Sequence, residues 1–94
     1  MNARDLVAAV DLIDEAVDVA VELDVDVAAI ATSLPFGNLG PDVTLVVRDE
    51  SHAARLARRL RLPASPAPAG VLTFQGTASS MGRLIVTTTW HGGA

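Results

Sequence analysis

The first residues that suggest chemistry lie around His52, which follows Asp49 and Glu50. A histidine beside carboxylates is a combination used in metal sites and in acid–base catalysis. Asp and Glu also crowd the starts of helices, where they accept backbone N–H groups and meet the positive end of the helix dipole. One histidine and two adjacent acids make too small a ligand set, so the sequence favours a helix start here.

No other group of side chains forms a catalytic pattern. The sequence has no Cys, which excludes disulfides and thiolate metal sites. Gly37 and Gly40 match neither a phosphate loop nor a dinucleotide fingerprint, and Ser79 and Ser80 have no evident base. His91 belongs to the last residues of the chain. We therefore predict that the protein is not an enzyme and that it holds no catalytic metal and no cofactor.

Four arginines in one short stretch are the candidates for an anionic partner: Arg55, Arg58, Arg59 and Arg61. Arginines neutralise phosphates, so a nucleic-acid-associated regulator is the alternative function. However, the chain has a net charge of −4 and few aromatic residues on which bases would stack. A solvated helix face, partly paired with acids of another helix, is the favoured interpretation, and nucleic acid is not the expected partner.

Two groups are candidates for binding a protein partner. An acidic row would present carboxylates to a basic partner, although it also resembles the ordinary solvent side of a helix; it comprises Asp11, Glu15, Asp18 and Glu22. The segment SLPFGNLGPD adds Phe36 and Leu39 as exposed apolar candidates, which would otherwise plug the end of the core.

The helix that carries the acidic row is predicted over Ala3–Leu23, with Asn2 as its N-cap. Its apolar residues recur at spacings of four, three, four and three, as Leu6, Val10, Ile13, Val17 and Ala20. Three more apolar residues lie outside this stripe, namely Val7, Leu12 and Val19. We expect a helix with so broad an apolar surface to be covered from two sides.

A second helix is predicted within Asp49–Pro63, with Asp49 as its cap and Pro63 as its stop. Strands are predicted before and after it, over Asp24–Thr32, Val43–Arg48, Val71–Thr77 and Arg83–Trp90. The first of these would also tolerate a helical extension, because alanines dominate its second half.

Turn-forming residues join the strands in pairs, and Pro63–Gly70 is interpreted as an extended surface linker. The predicted fold is α+β in the order αββ-αββ, with a four-stranded, mainly antiparallel sheet and both helices on one face. The chain is expected to form one domain over residues 1–94, with a loose tail at 91–94.

Half of the residues are hydrophobic and only 19% are charged, whereas about 25% is usual for globular domains. A chain of 94 residues hides such an excess with difficulty, unless most of it is alanine. We therefore predict a homodimer that serves as a non-enzymatic protein–protein interaction or regulatory module. A weaker alternative is a small-molecule binder or an enzyme whose site forms between subunits.

The sequence also bears on location. No run approaches the ~20 apolar residues that a membrane span requires, so no membrane partner is expected. The first helix carries acids in every turn, unlike a signal peptide. The expected location is the cytoplasm.

Overall fold

The structure is a computed structural model that describes residues 3–33, 40–77 and 82–89. The helices in these ranges are α1 (Ala3–Leu23) and α2 (Glu50–Arg59). The strands are β1 (Ala29–Ser33), β2 (Asp42–Val46), β3 (Ala64–Ser65), β4 (Thr73–Thr77) and β5 (Arg83–Thr87). The α+β class and the two helices are therefore confirmed, and the bounds of α1 match those predicted.

The sheet differs in detail from the prediction of four mainly antiparallel strands in αββ-αββ order. Its strands lie in the order β1-β2-β5-β4-β3, and β2 pairs with β5 in parallel while the other pairs are antiparallel. The additional strand, β3, lies in the segment that the sequence analysis interprets as a linker. An edge strand of two residues needs only its backbone groups, so it leaves no apolar alternation in the sequence.

Both helices lie on one side of the sheet. α1 packs on β2, α2 packs on β5, and the two helices pack on each other. Alternate residues of β2 and β5 point toward the helices. They form the core together with Leu12 of α1, and they are Val43, Leu45, Leu84 and Val86. The helices thus cover β2 and β5, the two strands that pair in parallel.

The side of α1 that enters this core is not the stripe that the sequence singled out. The core takes Ala9, Leu12, Ala16 and Ala20, which we call the buried row. Leu12, which the sequence placed outside the main stripe, is fully buried. The buried row is rotated by about a fifth of a turn from the predicted stripe, and the two share only Ala20.

Both helices end in the same way, with a residue in the left-handed conformation just beyond the helix. Asp24 has φ 55° after α1, and Arg61 has φ 60° after α2. In each case the N–H of the following residue donates a hydrogen bond to a carbonyl of the last helical turn. Val25 donates to the Ala20 carbonyl at 2.9 Å, and Leu62 donates to the Ala57 carbonyl at 2.8 Å. This is the Schellman pattern, in which glycine is the usual left-handed residue.

Several sequence predictions fall outside the described residues: the cap at Asn2, Phe36, Leu39, Trp90 and the tail at 91–94. Within the described ranges, no helix is both long and apolar enough to cross a membrane.

Candidate functional site

A second row of apolar side chains on α1 is left in solvent. Leu6 and Val10 are each 52% exposed, and Val21 is 75% exposed. Val17, between them, is half-buried. We call these four residues the exposed row. A surface of leucine and valine of this length is unusual on a protein that has no partner, because large contiguous apolar patches mark interaction sites.

The exposed row lies on the flank of α1 that points away from α2. Glu22 marks the opposite flank, because its carboxylate lies 3.4 Å from the Arg59 guanidinium of α2. Helical spacing places Leu6 and Val17 across the helix from Glu22. Since α1 packs on β2 and α2 on β5, the exposed row faces the β1 side of the molecule.

Strand β1 extends this apolar surface. Ile30 pairs with Leu45 of β2, so both side chains point to the helix side of the sheet. Leu45 is fully buried there, whereas Ile30 is 40% exposed because neither helix packs over the outer strand. A shallow depression of about 340 Å³ lies at the C-terminal end of the row and is lined in part by Val17, Val21 and Val27.

The acidic row is exposed along its whole length, as predicted. Glu22 is the member that pairs with α2, through the contact to Arg59. Both side chains of this pair are more than half exposed, so it contributes at most about 1 kcal/mol to stability. The acidic row therefore forms the solvent side of α1, between the exposed row and α2.

The structure brings all four candidate arginines together. Arg55, Arg58, Arg59 and Arg61 surround a depression of about 390 Å³ in which Leu23 is the apolar lining residue. Arg55 lies three and four residues before Arg58 and Arg59, so the three share one face of α2. Arg61 joins them from beyond the helix end. We call these four residues the arginine cluster.

Arg61 occupies its place at a conformational cost. Its φ of 60° is in the left-handed region, where a residue with a β-carbon is less stable by about 1–2 kcal/mol. Glycine would avoid that cost and is the common choice at this position of a Schellman motif. The chain therefore keeps a guanidinium at the rim of the depression where the backbone alone would favour glycine.

The group around His52 forms a helix start, as the sequence favoured. One carboxylate oxygen of Asp49 accepts the Ser51 and His52 backbone N–H groups at 2.9 and 3.2 Å and the Ser51 hydroxyl at 2.6 Å. The Ser51 hydroxyl and these N–H groups lower the pKa of Asp49. His52 Nδ1 is buried and has no hydrogen-bond partner in the part of the chain that the structure describes. Across the described residues, no cluster of three or more His, Asp or Glu would hold a metal ion.

An ion pair that the sequence did not indicate lies on the sheet. Arg83 Nη2 lies 2.6 Å from an Asp42 carboxylate oxygen, and the two residues are directly paired in the parallel β2–β5 ladder. This hydrogen bond from Arg83 to Asp42 raises the pKa of the guanidinium. The pair satisfies a largely buried carboxylate and stabilises the junction of the two hairpins. No sequence signal linked these residues, which lie 41 positions apart.

The sequence identified the arginines but gave no sign of Leu23 between them. Leu6, Val10 and Val17 were predicted as part of the apolar stripe of α1, whereas Val21 was not singled out, and the pattern did not indicate which of these residues stay outside the core. The signal for the latter was present, because Val7, Leu12 and Val19 already showed that one stripe could not hold all the apolar residues of α1. Comparison with protein-family models, with curated proteins and with solved structures finds no match for this chain.

Proposed function

We propose that the protein is a non-enzymatic protein–protein interaction module that acts as a homodimer, with the exposed row of α1 as its interface. The observation that supports this function is that α1 leaves a leucine and two valines more than half exposed, while three of its four buried residues are alanines. A monomer would gain stability by facing its larger apolar side chains inward. In the observed arrangement the larger side chains face outward, which suits a helix whose outer side packs against a partner.

The spacing of the exposed row favours a second copy of the chain as that surface. Its members are separated by four, seven and four residues, which is the same spacing read from either end. A two-fold axis level with the middle of the row would therefore place Leu6 against the partner's Val21 and Val10 against the partner's Val17. The helices would be antiparallel, which also opposes their dipoles favourably.

The dimensions agree with this arrangement. From Leu6 to Val21 the row is about 22 Å long, at 1.5 Å per residue. Val7 is 61% exposed beside the row and Ile30 extends the surface onto β1. Both residues therefore extend the exposed apolar surface beyond the four members of the row.

The test is light scattering coupled to size exclusion, over a range of micromolar concentrations. We expect a mass near twice the 9.7 kDa of the chain. A variant with Val10→Asp and Val17→Asp should fall to the monomer mass, whereas the matched variant with Asp11→Asn and Asp18→Asn, on the acidic row, should remain a dimer. A wild-type mass of one chain at every concentration would contradict the proposed interface.

A further inference from the structure

The arginine cluster is a concave surface distinct from the exposed row, and we propose that it binds a compact, multiply charged phosphate group of the diphosphate type. The depression is bounded by four guanidinium-bearing residues and lies at the C-terminal end of α2, on the far side of α1 from the exposed row. The site is therefore independent of the proposed dimer interface.

The positive charge in this cluster exceeds what the fold uses. The carbonyl end of a helix carries about half a negative charge, which one arginine would offset. Arg59 has Glu22 as its acidic partner at 3.4 Å. Within the described ranges no salt bridge involves Arg55, Arg58 or Arg61. Three guanidinium groups around one depression are thus left without an acidic side chain.

The conformation of Arg61 is a second, separate observation. A residue other than glycine in the left-handed region is held in a conformation that its backbone disfavours, and such residues cluster at functional sites. Asp24 occupies the same position after α1, but Asp tolerates this conformation much better than Arg does. The arginine at the end of α2 therefore points to a use for its guanidinium.

Guanidinium groups recognise phosphate through paired N–H donors, and a diphosphate presents enough oxygens for several arginines at once. The depression of about 390 Å³ is near the small end of ligand sites. A nucleic-acid strand fits less well, because it would extend past the cluster. On one side it would meet Glu22 and the rest of the acidic row, which repel phosphates.

The probe for a binding test is inorganic pyrophosphate, titrated calorimetrically into the full chain at low ionic strength. We expect saturable binding of one pyrophosphate per chain, and weaker binding of citrate at the same ionic strength. Equal binding of pyrophosphate and citrate would overturn the phosphate assignment. Binding of a single-stranded oligonucleotide without measurable pyrophosphate binding would overturn it in favour of nucleic acid.

Two substitutions connect the binding to the cluster. Arg58→Gln should weaken pyrophosphate binding by about tenfold, which corresponds to the loss of one charge-assisted contact. Arg48→Gln removes the same charge outside the cluster and should leave the affinity within about twofold, because distant exposed charges are screened. Equal weakening by the two variants would show a general charge effect and would overturn the site.

Arg61→Gly separates binding from folding. Glycine suits the left-handed conformation, so this variant should melt at a higher temperature than the wild type while it binds pyrophosphate more weakly. A variant that melts higher and keeps the wild-type affinity would contradict a binding role for Arg61. Circular dichroism with unchanged helix content provides the folding control.

Discussion

The two apolar sides of α1 differ in a way that is opposite to the usual amphipathic helix. The buried row is made of three alanines and one leucine, whereas the exposed row is made of one leucine and three valines. Alanines let the helix backbone approach β2 and α2 closely, Leu12 is fully buried between them, and Ile13, Val19 and Leu23 pack against the core from its edge. The leucine and the three valines of the exposed row lie outside this contact.

This difference shows that two properties of a helix have to be predicted separately. One is how much apolar surface the helix has, and the other is which side of that surface faces the sheet. Periodicity reports that a stripe exists, but a helix with two stripes can be rotated so that either one faces the sheet. Packing decides which, because the space above Leu45, Leu84 and Val86 is closed by Leu12 and by alanines of α1. The largest apolar residues of a sequence are therefore not always its core.

The largest effect is expected from truncation of the one large side chain in the buried row. Leu12→Ala should lower the free energy of unfolding by about 2–5 kcal/mol, because it removes a fully buried side chain and leaves a cavity. Leu6→Ala makes the same chemical change in the exposed row and should cost the isolated subunit less than about 1 kcal/mol. Urea denaturation measures both, at a protein concentration low enough that the subunits are dissociated. Equal losses would remove the distinction between the two rows.

A somewhat smaller loss of stability is expected from a substitution at Gly82, which lies against the Leu12 side chain. Gly82 has φ 137°, and a β-carbon there would lie 2.7 Å from a Leu12 methyl group and 2.8 Å from the Pro41 carbonyl oxygen. Gly82→Ala should therefore destabilise the chain by about 1–3 kcal/mol through crowding and backbone strain. Thermal melting provides the measurement. A simultaneous Leu12→Ala change should recover part of the loss, and failure to do so would place the clash elsewhere.

A substitution in the exposed row should change the dissociation constant of the dimer and leave the stability of the subunit nearly unchanged. Val10→Asp should weaken the dimer by about a hundredfold or more, because a carboxylate in an apolar interface loses several kcal/mol of hydration. The melting temperature extrapolated to the fully dissociated subunit should change little, since Val10 is half exposed there. Sedimentation at several concentrations gives the dissociation constant. An unchanged constant would move the interface away from this row.

The smallest effect concerns Asp14, which is exposed beside the middle of the exposed row. In an antiparallel pair the two copies of this carboxylate would approach each other near the two-fold axis, where like charges oppose association. Asp14→Asn should therefore tighten the dimer by about two- to threefold, a change typical of an exposed charge pair. Asp18→Asn, off the row, is the control and should have no effect. Equal responses would reflect net charge alone.

The sequence predicted the elements better than their arrangement. The bounds of α1 followed from the spacing of its apolar residues, and both antiparallel hairpins followed from turn residues. The parallel β2–β5 contact was not predictable, because it depends on how two hairpins meet and is stabilised by an ion pair between residues 41 positions apart. The two-residue β3 was missed because it pairs through its backbone.

The candidate surfaces were predicted in the same uneven way. The arginines were identified by type and spacing, but Leu23 at the centre of their depression is a residue of the other helix, and only the α1–α2 contact brings it there. The breadth of apolar surface on α1 was recognised, whereas the choice of which row stays outside depended on the space above β2. Phe36 and Leu39 lie outside the described residues, so their role stays a prediction.

The pairing of exposed rows can be measured directly, because the chain has no cysteine of its own. Val10→Cys and Val17→Cys variants, oxidised separately and as an equimolar mixture, report which residues face each other. An antiparallel pair predicts that the mixed disulfide, which joins one chain of each variant, forms faster than either self-linked dimer. Glu15→Cys, on the acidic side, should remain without a disulfide link. Preferential self-linking of each variant would contradict the antiparallel pair, and no linking by either variant would contradict an α1 interface.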